Sequence, residues 1–273
     1  MMRPSSRPCG FSKCDFAGDY EVGQLPLMLE IERRVRGSAY GATSWTTRAQ
    51  SEATAHRLGL GPGRRLLEIG GGAGWPALFL ATLSGCRVVV TDVPVSGLRV
   101  ARARAVGDGI GERCSVLGAD GAALPVSDRS FDRVHHADVL CCTERKREIL
   151  LECRRVACDG AAMEFSVIAL VRQPTDEERQ LLEKSGPPYP DAGADYAVLL
   201  SETGWTVLER LDVTEEFGRC MDLLLQEYAA RREGLVELFG EEDFAKRLEH
   251  RVSTRAALSR GLLKREIFVV RCL

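Results

Sequence analysis

The feature that most constrains the fold of this chain is a glycine-rich turn that directly follows a short apolar run. The run Arg65 to Ile69 leads into Gly70-Gly71-Gly72-Ala73-Gly74-Trp75-Pro76. Such a pattern is typical of a buried parallel strand that passes through a tight loop into a helix. Glycines without Cβ atoms can adopt positive φ and let the backbone approach a bound molecule. The turn therefore predicts an α/β fold with a ligand site at this loop.

Acidic residues follow the next two apolar segments. Asp92 ends the segment that begins at Cys86, about 20 residues past the glycines, where an acid meets ribose hydroxyls in nucleotide-binding sheets. Asp120 follows the segment 114–117 in the same way. The glycine turn also fits a dinucleotide fingerprint, so an NAD(P)-dependent oxidoreductase is one alternative. A scaffold that binds a cofactor without catalysis is another.

The series of motifs as a whole resembles the class I S-adenosylmethionine-dependent methyltransferases. The matching residues are Glu-x-Gly-x-Gly-x-Gly at 68–74, the acid Asp92, Gly-Ala-Asp at 118–120 and Phe-Asp-Arg-Val at 131–134. The resemblance covers about 40–170 and resumes near the C-terminus. It implies a Rossmann-like fold with helices on both faces of a mostly parallel seven-stranded sheet whose last strand is antiparallel.

The resemblance also implies the chemistry and the site. S-Adenosyl-L-methionine would be the methyl donor and S-adenosyl-L-homocysteine the product, and a small-molecule acceptor would attack through nitrogen, oxygen or carbon by in-line displacement. The residues expected to bind the cofactor are Tyr40, Glu68, Gly70, Gly72, Gly74, Asp92, Val93, Asp120, Gly121 and His136. Within this set Asp92 would accept the ribose hydroxyls, Val93 would face adenine, and Glu68 would hold the glycine turn.

Three residues at the end of the fourth predicted strand are candidates for proton transfer from the acceptor. His135 and His136 alternate along the strand, so their rings point to opposite faces of the sheet. Asp138 follows at the carboxyl edge, where open α/β sheets bind their ligands. A histidine that titrates near neutrality suits a general base, and the sequence leaves open which of the three faces the ligand.

The predicted domain organisation is an N-terminal arm and helix over 1–40 and a methyltransferase domain over 41–273. The helix is expected over 20–36, and Thr43 or Ser44 is expected to cap the next one. A helical insert over about 212–263 separates the last two strands, and we expect it to cover the acceptor pocket, to form a dimer or to buttress the fold. Arg219, Arg231 and Arg232 in this insert could meet an acceptor carboxylate.

The composition of the chain limits the kinds of binding partner and the location that we expect. The 37 basic and 39 acidic residues give a formal net charge of -2, which offers no general attraction to nucleic acid. No apolar run reaches the roughly 20 residues that span a bilayer, and no secretory signal is apparent, so we expect a cytoplasmic protein. The ten cysteines form no Cys-x-x-Cys pair, so no metal site is expected. A homodimer is a possible assembly.

Overall fold

The structure is a computed structural model that describes residues 16–272. The arm expected at the N-terminus falls mainly outside these residues. The strands are β1 (Arg65–Ile69), β2 (Arg87–Asp92), β3 (Cys114–Gly118), β4 (Phe131–Ala137), β5 (Ala157–Leu170), β6 (Trp205–Asp212) and β7 (Leu263–Cys272). The helices are α1 (Phe16–Gly23), α2 (Pro26–Arg36), α3 (Arg48–Arg57), α4 (Ala77–Ser84), α5 (Val95–Gly107), α6 (Lys146–Val156), α7 (Asp176–Glu183), α8 (Tyr196–Glu202), α9 (Thr214–Ala230), α10 (Arg232–Phe239) and α11 (Glu241–Ser259).

Within the described residues the strands form one seven-stranded sheet in the order β3-β2-β1-β4-β5-β7-β6. The pairs from β3 through β5 are parallel, whereas β7 runs antiparallel to both of its neighbours. The strand order reverses between β1 and β4, and ligands of open α/β sheets bind beyond the carboxyl ends at such a point. The fold class expected from the sequence is confirmed.

The sheet is buried between two helical layers because its central strands are apolar on both faces. In β1 the side chains of Leu66 and Leu67 are fully buried, and they belong to separate hydrophobic clusters. Alternation along the strand directs them to opposite faces. This double burial holds the carboxyl end of β1, and thus the glycine turn, in a fixed position.

The segment before β1 differs from its predicted form. The helix expected over 20–36 is two helices, since α1 ends at Gly23 and α2 begins at Pro26. Proline suits the first helical position, where its missing N–H costs no hydrogen bond. The cap of α3 is Thr47 rather than Thr43 or Ser44, and Thr47 and Gln50 form a reciprocal capping box.

The insert between β6 and β7 contains α9, α10 and α11, which we call the insert helices. Helix α9 packs against α2, and α11 packs against α9 and α7. The insert helices and α2 thus form one layer above the carboxyl edge of the sheet. The division into an arm and a methyltransferase domain stays a prediction.

The eight cysteines between 16 and 272 are free thiols. In the same part of the chain, no helix is long and apolar enough to cross a membrane.

Candidate active site

A cavity of about 320 Å³ lies beyond the carboxyl ends of β1, β2 and β4. Gly70, Asp92 and Asp138 line it from the sheet side. Residues of α1, α2, α9 and α11 line the opposite side. Pockets of this size class, at this edge of an α/β sheet, are typical small-molecule sites.

The glycine turn has the backbone that its sequence predicts. Gly70 and Gly72 have φ of 65° and 48°, in the left-handed region that side chains rarely adopt. A Cβ atom on Gly72 would lie 2.3 Å from Cε1 of Tyr20, and one on Gly70 would lie 2.5 Å from Cγ2 of Val139. The turn therefore requires glycine at both positions, for conformation and for space.

Asp92 lies at the end of β2 with its carboxylate buried beside this turn. Its Oδ2 accepts hydrogen bonds from the Tyr20 hydroxyl at 2.9 Å and from the Gly72 N–H at 2.7 Å, and its Oδ1 accepts one from the Val93 N–H at 2.7 Å. Burial raises the pKa of Asp92, although these three hydrogen bonds oppose the shift. Burial and the Asp92 charge raise the pKa of Tyr20 in turn. Asp92 is thus a carboxylate held by neutral donors at the wall of the cavity.

Glu68 lies beneath the glycine turn and pairs with His135. The Nδ1 atom of His135 is 2.8 Å from Oε2 of Glu68, and both side chains are buried. Burial alone would lower the pKa of His135. The charge of Glu68 and its hydrogen bond have the larger effect, so the pKa of His135 is raised. The other oxygen of Glu68, Oε1, is buried without a hydrogen-bond partner. The pair supports the turn from below, and the His135 ring does not line the cavity.

His136 lies on the other face of β4, inside an aromatic stack. Its ring is 4.7 Å from that of Phe165, centroid to centroid, and neither ring nitrogen has a hydrogen-bond partner. Burial, with the charge of His135, lowers the pKa of His136 to about 3, so the ring is neutral near pH 7. The ring is outside the cavity. The placement of the two histidines gives no support to their predicted role as bases.

Asp138 lines the cavity, but its carboxylate is already neutralised. Nε and Nη2 of Arg265 donate to Oδ1 and Oδ2 of Asp138 at 2.9 and 3.1 Å. The Trp45 N–H donates to Oδ2 at 2.8 Å and the Ser166 hydroxyl to Oδ1 at 2.9 Å. Arg265 is 1% exposed, so this ion pair is shielded from water. Asp138 also has φ of 57°, a conformation costly for a residue with a side chain, and the network holds it there.

Three other predicted cofactor residues, Tyr40, Asp120 and Val93, do not line the cavity. Tyr40 lies outside the cavity, with its ring 5.1 Å from that of Trp75 and beneath the Arg104 guanidinium. Asp120 is exposed, and its Oδ2 accepts a hydrogen bond from Arg145 at 2.6 Å. Val93 is 67% exposed beside Asp92, where an apolar side chain is free to contact a ligand.

Gly121 is packed under β1, because a Cβ atom there would lie 2.7 Å from Cγ2 of Ile69. Of the predicted residues, the structure brings Gly70, Asp92 and Asp138 together at the cavity, and the backbone N–H groups of Gly72 and Val93 donate to Asp92. It does not bring Tyr40, Asp120 or the histidine rings to that cavity.

Comparison with known families agrees with this geometry. Residues 67–165, which run from β1 into β5, match the model of a methyltransferase domain. This range includes the glycine turn and Asp92. This stretch of the chain is therefore similar to a class I S-adenosylmethionine-dependent methyltransferase domain. The resemblance seen in the sequence is confirmed.

Individual proteins similar to this chain differ in their stated activities. Over 176 residues it is 30% identical to 24-methylenesterol C-methyltransferase 2 of Oryza sativa subsp. japonica, which covers 61% of this chain but 48% of that protein. The chain thus spans about half the length of that relative.

Two solved structures share the fold of this chain. Phosphoethanolamine N-methyltransferase 2 of Haemonchus contortus, in complex with S-adenosylhomocysteine, has a TM-score of 0.77 at 16% identity, covering 94% of this chain and 60% of that one. The [4+2]-cyclase SpnF has a TM-score of 0.72 at 21% identity, covering 93% and 96%.

Several residues of the cavity are missing from the sequence-based prediction. Tyr20 from α1, Trp45 from the segment before α3 and Arg251 from α11 line it. No local motif marks these positions, since each belongs to an ordinary helix or loop and reaches the cavity through tertiary packing. The arginines predicted to meet an acceptor, Arg219, Arg231 and Arg232, instead pair with Glu215, Glu30 and Glu241 at the surface.

Proposed function

We propose that this protein transfers a methyl group from S-adenosyl-L-methionine to a small, largely apolar acceptor. The observation that carries the proposal is the cavity at the switch point of the sheet, with Gly70 and Asp92 at one end and apolar side chains of α2 and α9 at the other. The match of the methyltransferase family model to the residues that form the first end supports it. The sterol named for the rice relative supports an apolar acceptor.

The donor end of the cavity fits an adenosyl group in its hydrogen-bonding capacity. A carboxylate oxygen accepts about two hydrogen bonds, so Oδ2 of Asp92 is filled by Tyr20 and Gly72, while Oδ1 has one free position. We propose that ribose hydroxyls use this position and the one that the Tyr20 hydroxyl holds. Val93 would contact adenine, and Glu68 would keep the turn in place through its buried carboxylate.

The chain contributes alignment and exclusion of water to the reaction. The bound donor supplies a methyl group on a sulfonium centre, whose positive charge is lost on transfer. Such a displacement gains most of its rate from positioning in a dry site. We propose that Asp138, neutralised by Arg265, forms the floor of the cavity and positions the Trp45 backbone. We assign no proton transfer to His135 or His136.

The first experiment tests donor binding by calorimetric titration of the purified protein with S-adenosylhomocysteine and, separately, with NADH. We expect binding of the first and none of the second. Asp92→Ala should weaken S-adenosylhomocysteine binding at least tenfold, whereas the exposed Asp128→Ala should leave it unchanged. Binding of NADH alone would support the oxidoreductase alternative and contradict the proposal.

Turnover is tested by incubating metabolite pools with the protein and S-adenosylmethionine and searching for compounds that gain the mass of one methyl group. The cyclase named among the structural neighbours shows why this is needed, since the shared fold does not establish methyl transfer. Donor binding without any methylated product would favour the scaffold alternative.

Tyr20→Phe distinguishes the role of α1. This change removes the hydroxyl that occupies Asp92 Oδ2 and keeps the ring that packs on Gly72. We expect S-adenosylhomocysteine to bind severalfold more tightly, because its hydroxyls no longer compete with the phenol. Tyr196→Phe is a matched control, since that tyrosine is buried away from the cavity. Weaker binding to Tyr20→Phe would mean that the hydroxyl contacts the donor instead.

We also propose a cytoplasmic protein whose partner is a small molecule and not nucleic acid. The near balance of basic and acidic residues, with a sequence pI of about 6.2, supports this. A homodimer stays a prediction that sedimentation would test.

A further inference from the structure

The acceptor end of the cavity combines an apolar wall with a cation. The wall consists of buried side chains from α2, the segment before α3, and α9, namely Ile31, Val35, Trp45, Phe217, Leu224 and Tyr228. The rings of Trp45 and Phe217 are 5.0 Å apart. Arg251 of α11 lies over the Trp45 ring at 5.5 Å and also lines the cavity. An apolar ligand that fills this end therefore lies beside a guanidinium group.

The carboxylates that line the cavity are all engaged elsewhere. Asp92 and Asp138 are held as described above. Glu32 accepts hydrogen bonds from the Ser38 hydroxyl at 2.6 Å and the Gly41 N–H at 2.6 Å, and lies 3.7 Å from Arg36. Asp19 lies 3.7 Å from Arg247. None of these carboxylates neutralises Arg251.

Arg251 differs in this respect from the other two arginines of the cavity. Arg36 donates to the carbonyl oxygens of Ser44 and Ala42 and is close to Glu32, so it ties the backbone together. Arg247 has Asp19 and the Phe239 ring. Within residues 16–272, Arg251 has no carboxylate partner, and its Nε is buried without a hydrogen bond.

A partly buried guanidinium without a counter-charge is costly, because the protein has replaced its water without supplying acceptors. Guanidinium binds planar oxyanions through paired hydrogen bonds, and an aromatic face holds it in place for this. We propose that Arg251 binds a carboxylate or phosphate group of the methyl acceptor, whose apolar part packs against Trp45 and Phe217. This inference rests on the proposed methyl transfer and specifies the class of its acceptor.

The positive charge of Arg251 also affects His250, the residue before it in α11. Burial, together with the charges of Arg251 and Arg247, lowers the pKa of His250 to about 4. His250 is therefore neutral near pH 7 and adds no second cation. Arg251 is therefore the cation that determines which ligand charge is favoured at the acceptor end of the cavity.

The test uses four probes that share an eight-carbon chain: octanoate, octyl phosphate, octanol and octyltrimethylammonium. Each is titrated calorimetrically into the full-length protein, with and without saturating S-adenosylhomocysteine. We expect both anions to bind at least tenfold more tightly than octanol, and the ammonium most weakly. The tighter of the two anions identifies the head group as carboxylate or phosphate.

Arg251→Met keeps a chain of similar length on Trp45 and removes the charge. We expect it to weaken the anions at least tenfold and to leave octanol and S-adenosylhomocysteine unchanged. Arg251→Lys should restore part of the preference for anions. The matched control is Arg260→Met, which alters an exposed arginine just after α11 and should have no effect.

Three results would overturn the proposal: octanol binds as tightly as octanoate, the ammonium binds more tightly than the anions, or no probe binds. So would anion binding that Arg251→Met leaves unchanged. If Arg251→Met fails to fold, Arg251→Lys is compared with the wild type instead. We expect a smaller ratio of octanoate to octanol affinity in Arg251→Lys, and an unchanged ratio would overturn the proposal. Failure of S-adenosylhomocysteine to bind would count against methyl transfer, and the titrations without it would still report on Arg251.

Discussion

Two acidic residues at the carboxyl edge of the sheet, Asp92 and Asp138, look alike in the sequence but lie in different electrostatic surroundings. Each follows a parallel strand and lines the same cavity. Asp92 is surrounded by neutral donors from Tyr20, Gly72 and Val93, whereas Asp138 is paired with Arg265. The first keeps capacity for ligand hydroxyls, and the second is a neutral part of the cavity floor. An acid after a strand thus indicates location, while distant residues decide its chemistry.

The largest effect we expect comes from removing the cation of the Asp138 region. Arg265→Met leaves a buried carboxylate unpaired and should lower the free energy of unfolding by about 3–5 kcal/mol. Urea denaturation measures this, with the exposed Arg271→Met on the same strand as the control. The double variant Asp138→Asn, Arg265→Met should be more stable than Arg265→Met alone. Additive losses would contradict a coupled pair.

The next effect tests the Asp92 region. Gly72→Ala places a Cβ atom against the Tyr20 ring and forces alanine into positive φ. We expect a loss of about 2–4 kcal/mol in the free energy of unfolding from overpacking and backbone strain, and loss of S-adenosylhomocysteine binding. Gly118→Ala, where nothing lies within 4 Å of the new Cβ atom, is the control. Wild-type stability in Gly72→Ala would show that Tyr20 does not pack on the turn.

A smaller effect depends on pH and concerns β4, the strand that precedes Asp138. The pKa of His136 is about 3 in the folded protein, against 6.5 for the free side chain. The unfolded chain therefore binds a proton that the folded one does not, and stability is lost as the pH falls below 6.5. At pH 5 this loss is about 2 kcal/mol.

His136→Phe removes this loss, since phenylalanine fits the aromatic stack and does not titrate. Denaturation at pH 5 and pH 7.5 measures the difference, with the exposed His56→Gln as control. His135, whose pKa is raised, acts in the opposite direction: its contribution is present at low pH and lost as the pH rises above 6.5. The contribution of His135 is the same in the wild type and in His136→Phe. An unchanged pH dependence of the free energy of unfolding in His136→Phe would therefore contradict a buried, neutral His136 ring.

The smallest effect concerns the helix that supports the Asp138 region. Gln50 in the capping box of α3 also accepts a hydrogen bond from Arg265 at 3.1 Å. Thr47→Ala removes the cap and should cost about 1 kcal/mol. Thr175→Ala, at the exposed capping box of α7, should cost less because α7 has no buried residue. Equal losses would show that the cap does not support the ion-pair network.

The sequence is sufficient for the sheet and the Asp92 region because both depend on neighbouring residues. The alternation at Leu66 and Leu67 and the glycines at 70–74 determine local conformation directly. The acceptor end is different, since Trp45, Phe217 and Arg251 converge from three distant segments. Their contacts depend on how the insert helices pack, and no local spacing records this. The sequence also could not show the surroundings of the two histidine rings, because residue type and strand position do not reveal the pairing of His135 with Glu68 or the packing of His136 on Phe165.

The pairing of Asp138 with Arg265 joins positions 127 residues apart, one just after the fourth strand and one on the last. Without β7, which lies between β5 and β6, the cavity floor would carry an uncompensated negative charge. A chain that stops before residue 263 would present a cation-attracting surface at this place instead of a neutral one. The final strand thus supplies the cation that neutralises the floor of the cavity.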